Sequence, residues 1–312
     1  MVNDKNLKII TLTINPAIDV HIRLDELTEG ADNLAVIERR DRGGKGVNVS
    51  RALLSLGIES LTLVAVGKEN GEDFVSGLKS EGLAVEYCLV EGAVRENLNI
   101  HTKNGDTVIA TAGPVLKESD IADISGKLFA ELDSPAIVVF SGRIAEGTDK
   151  ESVINMLLAA KEKGAMLILD SKSLTASDIS RLSPLMIKPN IEEAEALLGK
   201  KIDSPIESAK ELATLGAEYV LLTMGSDGLV LSDDKTSVPS PSIPVEVKST
   251  VGAGDSTVAS FIHSYISGLS LFDAARHAAC VSAATCMTEG TLPPQPCEIN
   301  RLFEQTKSTS QE

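Results

Sequence analysis

Tryptophan is absent from this chain, and aromatic residues make up only 3% of its 312 positions. With 43% hydrophobic residues a sizeable core still forms, but Leu, Ile, Val and Ala must fill it. Basic residues are scarce as well: 29 Lys and Arg face 45 Asp and Glu, a net charge of −16. Such a surface repels nucleic acid and anionic membranes, which argues against both as partners. The four cysteines, Cys88, Cys280, Cys286 and Cys297, lack metal-type spacing and read as reduced thiols. The four histidines, His21, His101, His263 and His277, form no local cluster, which argues against a zinc site. Neither a signal peptide nor a membrane-spanning run is visible, so a cytoplasmic location is expected. The polar residues 307–312 are expected to fray.

Short apolar runs alternate with helical patterns along the chain. Strands are expected at 8–14, 61–66, 136–140, 166–170, 185–188 and 219–223. Helices are expected at 47–56, 72–80, 118–132, 150–163, 191–198, 206–215, 256–267 and 272–288. Continuous apolar strands of this kind are buried on both faces, which predicts a parallel sheet covered by helices. Ligands of such open sheets bind beyond the strand C-termini. Residues 18–42 and 86–112 break the rhythm and read as extended hairpin material, the latter with a turn at Asn104-Gly105. They are expected to form one small β-sheet lid over the active site, which would exclude water.

The most informative stretch is Ser249-Thr250-Val251-Gly252-Ala253-Gly254-Asp255-Ser256. Val258, Phe261, Ile262, Tyr265, Ile266 and Leu269 follow at helical spacing, so Gly252, Ala253 and Gly254 sit at a helix N-terminus. Their N–H groups lack helical partners, and small residues let an anion reach them. Asp255 then stands beside an anion hole, the arrangement that phosphoryl transfer uses: amides hold the phosphoryl group and the carboxylate takes the acceptor's proton. The same residues also fit a plain helix cap. A dinucleotide fingerprint is excluded, because Thr257 holds the sixth place counted from Gly252.

Gly43-Gly44-Lys45-Gly46-Val47-Asn48 opens a second helix in the same way, now with a local positive charge. It is no Walker A loop, since Gly46 follows Lys45. Its readings are an anion or sugar site, or a tight turn with a solvated lysine. Asn15-Pro16-Ala17-Ile18-Asp19 follows the first strand, where Asp19 can accept from sugar hydroxyls or simply stabilise a turn. In Lys188-Pro189-Asn190-Ile191-Glu192-Glu193, Asn190 and Glu193 resemble a capping box, and the same polar end suits water around Mg²⁺. Thr223-Met224-Gly225-Ser226-Asp227-Gly228 is a glycine-rich turn between strands, either a hairpin or a wrap for a nucleotide.

In this order the motifs resemble the ribokinase-like sugar kinases of the PfkB family, over residues 13–291. The segments 15–19, 43–48, Ser141-Gly142, 188–193 and 249–255 carry the resemblance. The full string from Ser249 to Ser256 and the Gly-Gly-Lys-Gly start look most like the phosphofructokinase and tagatose-6-phosphate kinase branch. The resemblance implies an α/β fold: one three-layer α/β/α kinase domain over 1–312, with the lid often forming a homodimer contact. It makes Asp255 the base and Gly252, Ala253 and Gly254 the anion hole. Asp19, Gly43, Gly44, Lys45 and Asn48 become sugar-phosphate ligands, with Arg95 a phosphate contact from the lid. Lys188, Asn190 and Glu193 support ATP and Mg²⁺, Glu193 through water. Thr223, Gly225, Ser226 and Gly228 line the nucleotide site. The loop around Ser249 and Val251, placed with the cofactor, holds a monovalent cation in some relatives.

Three departures concern the substrate more than the reaction. Arg143-Ile144-Ala145-Glu146-Gly147 replaces the family's Ser-Leu-Pro run, so Arg143 is expected at a phosphate of the substrate or of ATP, or paired with Glu146. Thr111-Ala112 precedes Gly113-Pro114 without a polar Asn, and Asp170-Ser171-Lys172 follows the central strand. The resulting expectation is an ATP-dependent ketohexose-monophosphate kinase, with fructose 1-phosphate first, tagatose 6-phosphate second and fructose 6-phosphate third. A regulator that binds sugar phosphate without turnover is the contrasting class, and the intact Asp255 argues against it.

Overall fold

The structure, a computed structural model, describes residues 7–309. In chain order the strands are β1 (Lys8–Thr13), β2 (Ala17–Arg23), β3 (Val36–Gly43), β4 (Leu61–Gly67), β5 (Ala84–Val90), β6 (Arg95–Thr102), β7 (Gly105–Ala110), β8 (Ala136–Ser141), β9 (Ala165–Asp170), β10 (Met186–Ile187), β11 (Tyr219–Thr223), β12 (Leu229–Ser232) and β13 (Ser237–Ser240). The helices are α1 (Lys45–Ser55), α2 (Gly71–Ser80), α3 (Glu118–Ala130), α4 (Lys150–Glu162), α5 (Ala176–Leu182), α6 (Ile191–Leu198), α7 (Pro205–Ala213), α8 (Ala253–Ile266), α9 (Leu271–Cys286) and α10 (Pro296–Thr309). Part of the expected polar tail lies within α10, and the remainder lies outside the described residues.

Strand alternation divides the apolar residues between the two faces of a nine-stranded sheet, ordered β13-β12-β11-β10-β9-β8-β1-β4-β5. Ile10, Leu12, Val138, Phe140, Leu167 and Leu169 pack on one side, with residues of α3 to α7. Ile9, Ile137, Val139, Ile168 and Leu221 pack on the other, with residues of α1, α8 and α9. All pairs from β5 to β11 are parallel, and β12 and β13 add an antiparallel edge. Helices on both faces therefore sandwich the sheet, as buried strands without polar alternation require. The strand C-termini gather Asp170, Ser141 and Thr223 at one edge, with Lys188 just past β10.

A second, four-stranded sheet has the order β3-β2-β6-β7. Its root is anchored where Ile18, Val20 and Val94 join Val47, Val64, Val66 and Phe74. One expectation needs correction here. Residues 86–90 belong to β5, which pairs in parallel with β4, so the second arm of the small sheet comprises only β6 and β7. As an edge strand, β5 buries its positions unevenly and mixes Glu86 and Tyr87 with apolar residues, a pattern that a free hairpin shares. The hairpin loop is Lys103-Asn104, since Thr102 pairs with Gly105, one residue earlier than the expected turn.

Candidate active site

Three groups of side chains meet at the C-terminal edge of the large sheet, and each is set by how a local element starts or ends. The first surrounds the N-terminus of α8. Gly252 caps this helix in the left-handed region at φ 78°, a conformation glycine adopts without strain. No side chain caps the helix. The Ala253 N–H reaches back to Thr250 O at 3.3 Å, while the Gly252, Gly254 and Asp255 N–H groups have no partner among the described residues. The run of open amides thus extends to that of Asp255 itself.

Asp255 is buried, with 7% of its surface exposed. Asn48, in the first turn of α1, donates from Nδ2 to Asp255 Oδ2 at 2.8 Å. Arg51 fixes the amide of Asn48 by donating to its Oδ1 at 3.1 Å, and is itself held by Glu81. Burial pushes the Asp255 pKa up to about 6, helped by the negative charge of Asp170. Lys45, the Asn48 hydrogen bond and Lys188 pull the other way without cancelling the rise. A carboxylate poised there accepts a proton near neutral pH far better than an ordinary aspartate.

Asp170, at the end of β9, was not among the expected site residues. Its side chain is fully buried, and its Oδ1 meets Lys45 Nζ at 2.9 Å and Lys188 Nζ at 3.4 Å. Burial opposes the charge on Lys45, but Asp170, Asp255 and Glu193 outweigh it and hold the pKa above the usual lysine value. Glu193 closes the expected capping box: its N–H donates to Asn190 Oδ1 at 2.8 Å, and its Oε2 accepts from the Asn190 N–H at 3.1 Å. Its other oxygen, Oε1, lies 3.9 Å from Lys45 Nζ. The available signal for Asp170 was a carboxylate ending a buried apolar strand, the same signal that singled out Lys188 at the end of the next.

The second group sits at the root of the small sheet. Asn97 of β6 donates to Asp19 Oδ1 of β2 at 2.8 Å, and Arg95 donates to Asn97 Oδ1 at 3.0 Å. Gly43 stands against this carboxylate: a Cβ there would lie 2.9 Å from Asp19 Oδ2. Burial lowers the Arg95 pKa, and the neighbouring Arg143 guanidinium lowers it further, while Asp19 opposes both. Arg143 is exposed and has no ion pair or hydrogen bond among the described residues, so the alternative pairing with Glu146 is not formed. Two guanidiniums brought together, with Arg95 Nε buried and without a partner, favour an anion. Asn97 and Asn15, whose buried Oδ1 has no partner, were not among the expected site residues.

The third group lines a cleft of about 480 Å³ between the β11–β12 turn, α8 and α9. Asn190, Thr223, Gly225, Ser226 and Gly228 line it, together with Ala253, Gly254 and Thr257 of α8. Ile243, Pro244, Val245 and Ala283 give it an apolar end suited to a flat heterocycle. Ser249 and Val251 lie outside this lining, whereas Thr250 between them is within it. Ser249 Oγ instead donates to Gly290 O at 3.3 Å and accepts from the Val251 N–H at 3.2 Å. A larger cleft, about 620 Å³, opens between β9, β10, α5 and α6 and is lined by Lys188 and Glu193, neither of which lines the smaller one. Of the two, only the smaller one reaches the open amides of α8.

Among the described residues, no group of three or more His, Cys, Asp or Glu can hold a metal ion, and no helix is long and apolar enough to cross a membrane. Known proteins resemble this chain over nearly its whole length. The 1-phosphofructokinase of Borreliella burgdorferi is 31% identical over 283 residues, covering 89% of this chain and 92% of that protein. The D-tagatose-1-phosphate kinase of Bacillus licheniformis is 29% identical, covering 90% and 93%. Phosphofructokinase-2 from Escherichia coli, solved with substrates and products and also with potassium, superposes with TM-scores of 0.88 and 0.87 at 25% identity, covering 96% of this chain. The family model for pfkB family carbohydrate kinases matches residues 10–297, and the chain belongs to that family.

Proposed function

We propose that this protein transfers the γ-phosphoryl group of ATP to the free terminal hydroxyl of a ketohexose monophosphate. Fructose 1-phosphate, giving fructose 1,6-bisphosphate, is the first choice, and tagatose 6-phosphate and then fructose 6-phosphate are the alternatives. One observation carries this reading: the buried Asp255 with its open amides and the Arg95–Arg143 pair form separate centres at one sheet edge. A sugar with a phosphate at one end and a reactive hydroxyl at the other would engage both. Asp19 and Asn97 lie beside the arginine pair, ready for hydroxyls between the ends. Asp255 takes the proton of the attacking hydroxyl as the oxygen–phosphorus bond forms. Membership in a carbohydrate-kinase family implies ATP as the donor, and its triphosphate would run from the cleft to the amides of Gly254 and Asp255.

The donor set suits a magnesium ion that arrives on the nucleotide. Asp170 Oδ2 is buried without a partner, and Glu193 keeps one oxygen free of its cap. Two hard carboxylate oxygens without a protein cage fit Mg²⁺ that retains waters and phosphate ligands. Bound there, the ion would neutralise charge on the phosphates. The turn around Ser249 and Val251 is the place for a monovalent cation. The small sheet would act as the lid, and exposed Leu34, Val36, Ile37, Val108 and Ile109 on it suit contact with a second copy of this chain. A panel of kcat/KM values over ketohexose 1-phosphates, ketohexose 6-phosphates and free ketohexoses tests the reading. ADP release with none of them would reject it.

A further inference from the structure

Lys45 begins α1 directly after Gly44, and its ammonium does not join the arginine pair. Its charged neighbours are Asp170 at 2.9 Å, Glu193 at 3.9 Å and, electrostatically, Asp255. Those of Arg95 are Arg143 and Asp19. Lys188 shares the Asp170 oxygen at 3.4 Å, and its Nζ stands 3.4 Å from where a Cβ on Gly254 would lie. Two ammoniums therefore flank the open amides of α8, pinned by one fully buried carboxylate.

Resting on the kinase reading above, we propose that Lys45 is a catalytic residue for the phosphoryl group in transit rather than a ligand of the phosphate the sugar already carries. Asp170 is then a positioning residue that holds Lys45 and Lys188 at the anion hole before ATP arrives. In the transfer, the acceptor oxygen gives its proton to Asp255 and bonds to phosphorus. The bond from phosphorus to the bridging oxygen breaks, and its electron pair leaves with ADP. Charge on the three equatorial oxygens needs donors on more than one side. The Gly254 and Asp255 amides cover the side of α8. Lys45, from α1, covers the side from which Asn48 reaches Asp255. A lysine supplies this as a compact point charge, which suits a group that moves.

The test compares the full-length protein with Lys45→Met by calorimetry and kinetics. MgADP is titrated with and without aluminium fluoride, which mimics the phosphoryl group in transit. Wild type is expected to bind MgADP more tightly with the fluoride. Lys45→Met should bind MgADP within about twofold of wild type yet lose about 10-fold or more of that tightening, as for a lost charge-assisted bond. Its kcat should fall about 10²–10³-fold, the scale of one lost transition-state donor, with phosphorylated and free ketohexose alike. Asp170→Asn should lower kcat with little change in KM for the sugar phosphate. A Lys45→Met protein that keeps the fluoride effect and kcat but shows a KM raised only for phosphorylated sugar overturns the proposal, as does a wild type without tightening. Should Lys45→Met not fold, Lys45→Gln keeps a polar side chain without the charge, and full retention of tightening there also overturns it. Wild-type tightening without turnover of any ketohexose phosphate rejects the substrate assignment and leaves Lys45 at the phosphoryl position.

Discussion

Replacing Asp255 by Asn should greatly slow turnover and, at neutral pH, make the protein more stable. The native carboxyl titrates at about 6, against 3.8 for an ordinary aspartate, because burial and Asp170 disfavour its charge. That gap corresponds to about 3 kcal/mol, as an upper bound for a group coupled to charged neighbours. The native state binds the proton more tightly than the unfolded chain, so its advantage is complete below pH 3.8 and is lost as pH rises through 6. Above pH 6 the folded protein carries a charge it would be more stable without. Asn keeps the shape and still accepts from Asn48 Nδ2, but has no charge to desolvate. Urea unfolding of both proteins between pH 4 and pH 7.5 measures the effect. The variant should gain up to about 3 kcal/mol over wild type at pH 7.5, shrinking toward zero near pH 4, while kcat falls about 10²–10⁴-fold. A variant less stable than wild type at pH 7.5, or a difference independent of pH, would show that Asp255 is not held under this electrostatic load.

The part of this site legible in the sequence is the part made by local rules. A glycine run before helical periodicity gives open amides wherever it occurs, so Gly252 to Asp255 and Gly43 to Asn48 could be read directly. The capping box of Asn190 and Glu193 is local in the same sense. Strands such as β1, β8 and β11 could be read because continuous apolar runs have one comfortable environment. The small helix α5 escaped because Ala176–Leu182 is short and half polar. Residues 86–90 misled because an edge strand and a lid strand look alike. Long-range pairs had no local signal at all. Lys45 and Asp170 are 125 residues apart and meet only because β8 separates β9 from β1, beside α1. The resemblance therefore singled these residues out, while only the fold divided them between the cluster around Asp255 and the arginine pair.

Four further outcomes follow from the same geometry. Arg95→Ala should cost about 1.5–3 kcal/mol with a phosphorylated sugar and much less with the free sugar, as for a hydrogen bond to a charged group. Arg143→Ser should likewise raise KM for sugar phosphate and leave KM for ATP unchanged; equal KM values for both substrates in both variants would remove the arginine pair from the substrate site. Ile37→Asp with Ile109→Asp, on exposed edge strands of the small sheet, should convert a dimer into a folded monomer by light scattering; an unchanged mass would place the contact elsewhere. The last concerns His277, stacked on His263 at 4.8 Å and bonded to Ser260 Oγ at 2.7 Å between α8 and α9. Burial and then His263 lower its pKa from 6.5 to about 4. The unfolded chain binds this proton first, so His277 stabilises the fold fully above pH 6.5, and that stability, up to about 3 kcal/mol, is lost as pH falls toward 4. Asp255 has the opposite sign over nearly the same window, so wild type should be flatter with pH than either single variant. His277→Gln should become more stable on acidification relative to wild type, and Asp255→Asn less so. Parallel pH slopes in the two variants would mean that one of these buried groups does not titrate as its surroundings require.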